Sequence, residues 1–125
     1  MAKRIGARRS GGKPGSYIPA AGDLVWLSFS PQAGREQAGR RPALVLSPRA
    51  YNAKAGLCLA CPLTNQVKGY PFEVAIPSGL PVQGVVLSDH VKSADWLERR
   101  AKLIGTAPKE VLDEVRARLQ ALLGT

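Results

Sequence analysis

From Asp23 onward the chain alternates in short blocks. DLVWLSF (Asp23–Phe29) puts Leu24, Trp26 and Ser28 on one face of an extended segment and Val25, Leu27 and Phe29 on the other, the period-2 signature of a strand buried over most of both sides. PALVLSP (Pro42–Pro48), GLCLACP (Gly56–Pro62), PFEVAIP (Pro71–Pro77) and GVVLSDHV (Gly84–Val91) follow, each bracketed by Gly or Pro. Short strands at this spacing, closed by turn residues, predict an antiparallel sheet curled into a small barrel. After Ala107 the period changes. Pro108 suits the first turn of a helix, and Glu110 lies near its positive N-terminus. Val111, Leu112, Val115, Leu119, Leu122 and Leu123 then recur at spacings of one, three and four and form one apolar stripe, which Gly124 ends. That stripe is expected to pack on the barrel, so the fold class is mainly β with a C-terminal helix.

Before Asp23 nothing resembles an element. Residues 1–16 are rich in Gly, Arg and Lys with little to bury, and they read as a flexible basic arm. Residues 17–125 are expected to form one domain, since 125 residues at 45% apolar content support a single core. The formal charge of +9, with a pI near 10.2, calls for an anionic partner. Nucleic acid is the commonest one for a small basic domain, although membranes and acidic proteins attract the same field. Five of those charges (Lys3, Arg4, Arg8, Arg9 and Lys13) lie on the arm, which carries no acid; without them 13 basic residues face 9 acidic ones, or +4. No run of 18 apolar residues offers a membrane span. The basic start lacks the apolar stretch of a secretory signal, so a cytoplasmic location is expected. Cys58 and Cys61 form a C-x-x-C, but in a strand positions i and i+3 point to opposite faces. A zinc site would also need further ligands that one His and no other Cys do not supply. Two small buried apolar residues are the better reading.

Chemistry concentrates in two polar segments. SPQAGREQAGRR (Ser30–Arg41) carries Arg35, Glu36, Gln37, Arg40 and Arg41 between two strands, and PLTNQVKGYP (Pro62–Pro71) carries Thr64, Asn65, Gln66 and Lys68 after another. Loops of this length in a compact domain are usually functional or mobile. With Arg49 and Lys54, the window from Arg35 to Lys68 holds six cations and one carboxylate, Glu36. Nearby positive charge keeps such a carboxylate ionised as a proton acceptor. No group of Asp and Glu with metal-ligand spacing appears, so neither metal nor other cofactor is expected. Asp89 and His90 are adjacent on a predicted strand and should point to opposite faces. A two-histidine mechanism is excluded, because His90 is the only His. What remains is metal-free RNA cleavage, in which a 2′-hydroxyl attacks its own phosphate. Glu36 suits the base, Arg41 a forked donor on the phosphate, and Thr64 a hydroxyl donor. Arginine is a poor acid at neutral pH, which leaves the proton for the departing 5′ oxygen unassigned.

Three motifs, G-D-L-V-W, E-Q-A-G-x-R-P-A-L-V-L-S-P and C-P-L-T-N-Q-x-K-G-Y-P-F-E-V, make the chain from about Tyr17 to Gly124 resemble the MazF/PemK family of toxin endoribonucleases. The resemblance implies an SH3-like barrel and a homodimer. It implies cleavage of single-stranded mRNA to a 2′,3′-cyclic phosphate and a 5′-hydroxyl, and a cognate antitoxin that blocks the RNA groove. It places the catalytic residues on Glu36, Arg41 and Thr64, with Arg35, Gln37, Arg40, Asn65, Gln66 and Lys68 beside them to hold RNA. Two other classes compete: a CcdB-like toxin of the same fold, which binds DNA gyrase and catalyses nothing, and a plain RNA-binding barrel. The intact Glu36, Arg41 and Thr64 set favours the nuclease, and the aromatics a plain binder would use are scattered singly.

The arm has no counterpart in the resemblance. A Gly-rich segment with five cations supplies phosphate attraction rather than base readout. Deleting residues 1–16 is therefore expected to leave the cleavage motif unchanged. The slope of log affinity against log salt should shrink by about 0.7 per phosphate contact removed. RNA cut at a different motif by the truncated chain would make the arm a reader of sequence.

Overall fold

The computed structural model describes residues 17–28 and 39–124. The predicted arm and the residues Arg35, Glu36 and Gln37 lie outside them. Among the described residues the elements are β1 (Asp23–Ser28), β2 (Arg40–Val45), α1 (Arg49–Ala55), β3 (Cys58–Thr64), β4 (Glu73–Ala75), β5 (Val85–Leu87), β6 (Lys92–Ala94), β7 (Lys102–Thr106) and α2 (Lys109–Leu123), with a 3₁₀ turn at Ser88–His90. The hydrogen-bonded order is β4-β5-β3-β2-β1-β7, with β6 also on β3, and every pairing is antiparallel. The expected mainly-β fold with a C-terminal helix is present, as a curled sheet whose order does not close on itself.

Strand β3 pairs with β2 through Ala60, Cys61 and Pro62. Its other edge takes β6 at Cys58–Ala60 and then β5 at Leu63–Thr64. Pro62 would ordinarily be out of place in such a central strand. The Leu46 N–H donates to the Leu59 carbonyl at 2.8 Å. Because antiparallel pairs alternate, Leu44–Cys61 then belongs to the bonded set and Ala43–Pro62 does not. The nitrogen of Pro62 therefore faces the opposite edge, in the gap between β6 and β5, where no ladder needs a donor.

Two apolar clusters occupy the two faces of the sheet. Leu24, Leu44, Cys61, Leu63 and Val86 pack with Val111, Leu112 and Val115 of α2. Val25, Leu27, Ala43, Val45, Cys58 and Ala60 pack with Ala94 and Trp96. Cys58 and Cys61 thus sit on opposite faces, both buried as free thiols, and burial pushes each thiol up to about 12. The α2 stripe packs only in part. Val111, Leu112 and Val115 are buried and Leu119 rests against them, but Leu122 and Leu123 are exposed. A helix of 15 residues is about 22 Å long and outruns the face it covers.

Three elements were not visible in the sequence pattern. Helix α1 has one buried residue, the polar Asn52, and no apolar stripe. Strand β7 is a half-exposed edge on β1, and β6 has only three residues. The predicted strand Gly84–Val91 ends at Leu87 and continues as the 3₁₀ turn.

Asn52 ties these parts together. Its Oδ1 accepts from Ser47 Oγ at 2.6 Å, and its Nδ2 donates to the carbonyls of Pro19 (2.8 Å) and Ser47 (3.0 Å). The Asn52 carbonyl accepts from Trp96 Nε1 at 2.9 Å, and Ser47 Oγ accepts from the Leu59 N–H. Asn52→Ala leaves several of these buried groups unpaired, so it is expected to cost about 2–4 kcal/mol. Urea denaturation followed by Trp fluorescence measures this, and a loss below about 1 kcal/mol, the size of one ordinary net hydrogen bond, contradicts it.

Candidate active site

A cleft of about 270 Å³ opens where β2 begins and β3 and β5 end. Arg41 enters it from β2, opposite Leu27 of β1. Thr64, the last residue of β3, enters from the neighbouring strand, opposite Val85 of β5. The segment after β3 contributes Gln66, Lys68 and Tyr70, and β4 contributes Glu73 at its first position. Leu87, Asp89 and His90 complete the wall from the end of β5 and the turn that follows.

The polar atoms are held by local geometry. Thr64 Oγ1 accepts from the Gln66 N–H at 3.1 Å, which leaves the hydroxyl hydrogen free to donate to a ligand. The Glu73 carboxylate accepts from the backbone N–H groups of Lys68 and Gly69, at 2.9–3.2 Å. It clamps the loop and is thereby withdrawn from proton transfer. The Lys68 ammonium lies 6.0 Å from the centre of the Tyr70 ring, at the limit of a cation–π contact. Arg118 of α2 donates to the Pro71 carbonyl and pairs with Glu114, which fastens the far end of the loop to the helix.

One cation that the sequence placed on the ligand is bound elsewhere. The Arg40 guanidinium donates to Ser28 Oγ at 3.1 Å and to the carbonyls of Arg99 and Arg100 at 3.5 and 2.8 Å. Burial, together with the neighbouring Arg100 charge, lowers its pKa. It does not line the cleft, and neither does Asn65. Gln66 and Lys68 do.

Asp89 and His90 correct an expectation. Adjacent residues on a strand would face opposite ways, but both line the cleft because they lie on a turn of period three rather than two. His90 Nε2 is 3.9 Å from Asp89 Oδ1. The Ser-Asp pair at positions 88–89 was the available signal, since both residue types favour turns. Tyr70, Glu73 and Leu87 carried no signal beyond proximity in sequence to a polar loop or strand end.

The cleft brings a guanidinium, a hydroxyl, an amide and an imidazole together beside short antiparallel strands, groups of the kinds that can bind a phosphodiester. Among the described residues no group of three or more His, Cys, Asp or Glu is placed to hold a metal ion. None of their helices is long and apolar enough to cross a membrane. A family profile described as PemK-like, MazF-like toxin of type II toxin-antitoxin system matches residues 20–123. The chain is 51% identical over 108 residues to the endoribonuclease toxin MazF of Escherichia coli K12, a match covering 86% of this chain and 96% of that protein. Among solved structures, MazF from Deinococcus radiodurans superposes with a TM-score of 0.81 at 61% identity, covering 88% of this chain and all of that one (100%). A MazE-MazF complex from the same organism gives 0.79 at 55% identity, covering 88% and 99%. The chain belongs to the PemK-like, MazF-like family of toxins of type II toxin-antitoxin systems.

The cleft depends on one close approach. Gly84 has φ +107, and a Cβ there would lie 2.2 Å from the Thr64 carbonyl oxygen and 2.9 Å from its carbon. Gly79 has φ +95 but open space around it. Both Gly→Ala changes carry backbone strain of order 1–3 kcal/mol, whereas only Gly84→Ala also pushes on the Thr64 backbone. Gly84→Ala is expected to destabilise more than Gly79→Ala in chemical denaturation and to lower activity in the protein that remains folded. Equal effects of the two changes would contradict this.

Proposed function

We propose that the chain is a sequence-specific, metal-independent endoribonuclease acting on single-stranded mRNA. The observation that carries this reading is that Arg41 and Thr64, from separate strands, line one cleft with Gln66 and Lys68. The names of the relatives, endoribonuclease toxins, point the same way, and away from a gyrase-binding toxin or a plain RNA binder.

In this scheme Glu36 takes the proton of the attacking 2′-hydroxyl. Arg41 offers its charged fork to the phosphate as negative charge builds on the phosphorane, and Thr64 adds a second donor through the hydroxyl hydrogen that its bond from Gln66 leaves free. The products are a 2′,3′-cyclic phosphate and a 5′-hydroxyl. Gln66 and Lys68 hold the RNA in the cleft, and Arg35, Gln37 and Asn65 extend the grip. Arg40 acts mainly through the strand it anchors beside Arg41. The working unit is a homodimer in the cytoplasm, where mRNA is available. A cognate antitoxin covers the RNA groove, as the MazE-MazF complexes of a relative suggest. Residues 1–16 form a basic arm outside the single domain.

The test is to incubate the purified protein with a mixed RNA pool and the same sequences as DNA, both in EDTA, and to map new 5′ ends. RNA alone should be cut, because the nucleophile is the 2′-hydroxyl, and cleavage that requires added Mg²⁺ or Mn²⁺ refutes the scheme. Arg41→Ala and Thr64→Ala should each lower turnover by roughly 10²- to 10³-fold, the usual effect of losing one transition-state donor. RNA binding should fall much less, as measured by filter retention. Near-normal turnover in Arg41→Ala removes it from the site.

A further inference from the structure

The mechanism proposed above has a base and two phosphate donors but no group that gives a proton to the departing 5′ oxygen. We propose that His90 is this general acid, a role that rests on the endoribonuclease reading. The cleft itself supplies the argument. Of its ionisable groups, Arg41 and Lys68 are cations of strongly basic type, and Tyr70 is a phenol. An imidazolium is a stronger acid than an ammonium or a phenol by roughly four units, and than a guanidinium by six or more. Glu73 is occupied by the backbone N–H groups of Lys68 and Gly69, and Asp89 stands beside His90 as its ion-pair neighbour. Imidazole is the side chain whose class exchanges a proton near neutrality and which therefore suits general acid work there.

Position agrees with chemistry. The 3₁₀ turn at Ser88–His90 brings His90 to the cleft that Arg41 and Thr64 line. Its side chain is 57% exposed, so the ring can reach a ligand and exchange protons with solvent. The Asp89 carboxylate, 3.9 Å from Nε2, is within ion-pair reach of a protonated ring. As the 2′ oxygen bonds to phosphorus, its proton passes to Glu36. As the bond from phosphorus to the 5′ oxygen breaks, the electron pair stays on that oxygen and takes the proton from the imidazolium. Neutral imidazole and protonated Glu36 remain, and both reset by exchange with water.

The experiment compares two RNA oligonucleotides that carry one mapped cleavage site, identical except that sulfur replaces the bridging 5′ oxygen in the second. A thiolate leaves without being protonated, so a missing general acid no longer matters. On the oxygen substrate, His90→Ala and His90→Gln should lower the single-turnover rate by roughly 10²-fold or more, the ordinary contribution of a positioned acid. On the sulfur substrate both variants should match the wild-type protein to within a few-fold. Since His90 is exposed, thermal melts of the variants should overlay the wild type. Equal deficits on both substrates, or no deficit on either, overturn the assignment and leave the nuclease reading intact. A wild-type protein that cuts neither substrate removes the nuclease reading and this assignment with it.

Discussion

Strand β3 serves three partners within seven residues, and the cleft follows from how it does so. One edge is committed to β2, which carries Arg41. The other must release β6 and receive β5, and that change is possible without an orphaned donor because Pro62 has none to offer. Thr64 therefore emerges between β2 and the β4–β5 ribbon. Gly84 lets β5 close on it, since any larger residue would meet the Thr64 carbonyl. Arg41 and Thr64 are thus brought together by ladder register rather than by contact with each other.

Much of the positive charge is structural. Arg40, Arg99, Arg116 and Arg118 all donate to backbone carbonyls, and Lys109 pairs with Asp113. A guanidinium suits this because one planar fork satisfies carbonyls that end outside any ladder. The formal charge of +9 therefore overstates the number of cations that point at a ligand. In the described part of the cleft only Arg41 and Lys68 do so.

Period-2 alternation made five strands legible, and the apolar spacing after Pro108 made α2 legible, because in each case one face is buried. Burial of a different kind escaped notice. Asn52 is fully buried and organises the Ser47–Pro19–Trp96 region, yet a lone Asn in a polar stretch reads as a loop. Strand β7 has a weak contrast between its faces because none of its five residues is fully buried. That Arg41 and Thr64 would share a cleft was legible because they flank buried strands and sit in segments with nothing else to bury. His90 was misplaced because the period changes at Ser88, and a strand pattern carried through that point turns the side chain the wrong way. The carbonyl partners of Arg40 were invisible in sequence, as they lie about 60 residues away.

The clamp on the loop between β3 and β4 is made by Glu73 on backbone N–H groups, and Arg118 holds a backbone carbonyl of the same loop. Neither anchor uses a side chain between Asn65 and Pro71. Apart from Gly69, whose φ of +80 favours glycine, the loop's shape therefore owes little to its lettering. Asn65, Gln66, Val67 and Lys68 can be exchanged for other residues while the frame stays put, so the chemistry this surface presents can be rewritten without refolding the domain that carries it.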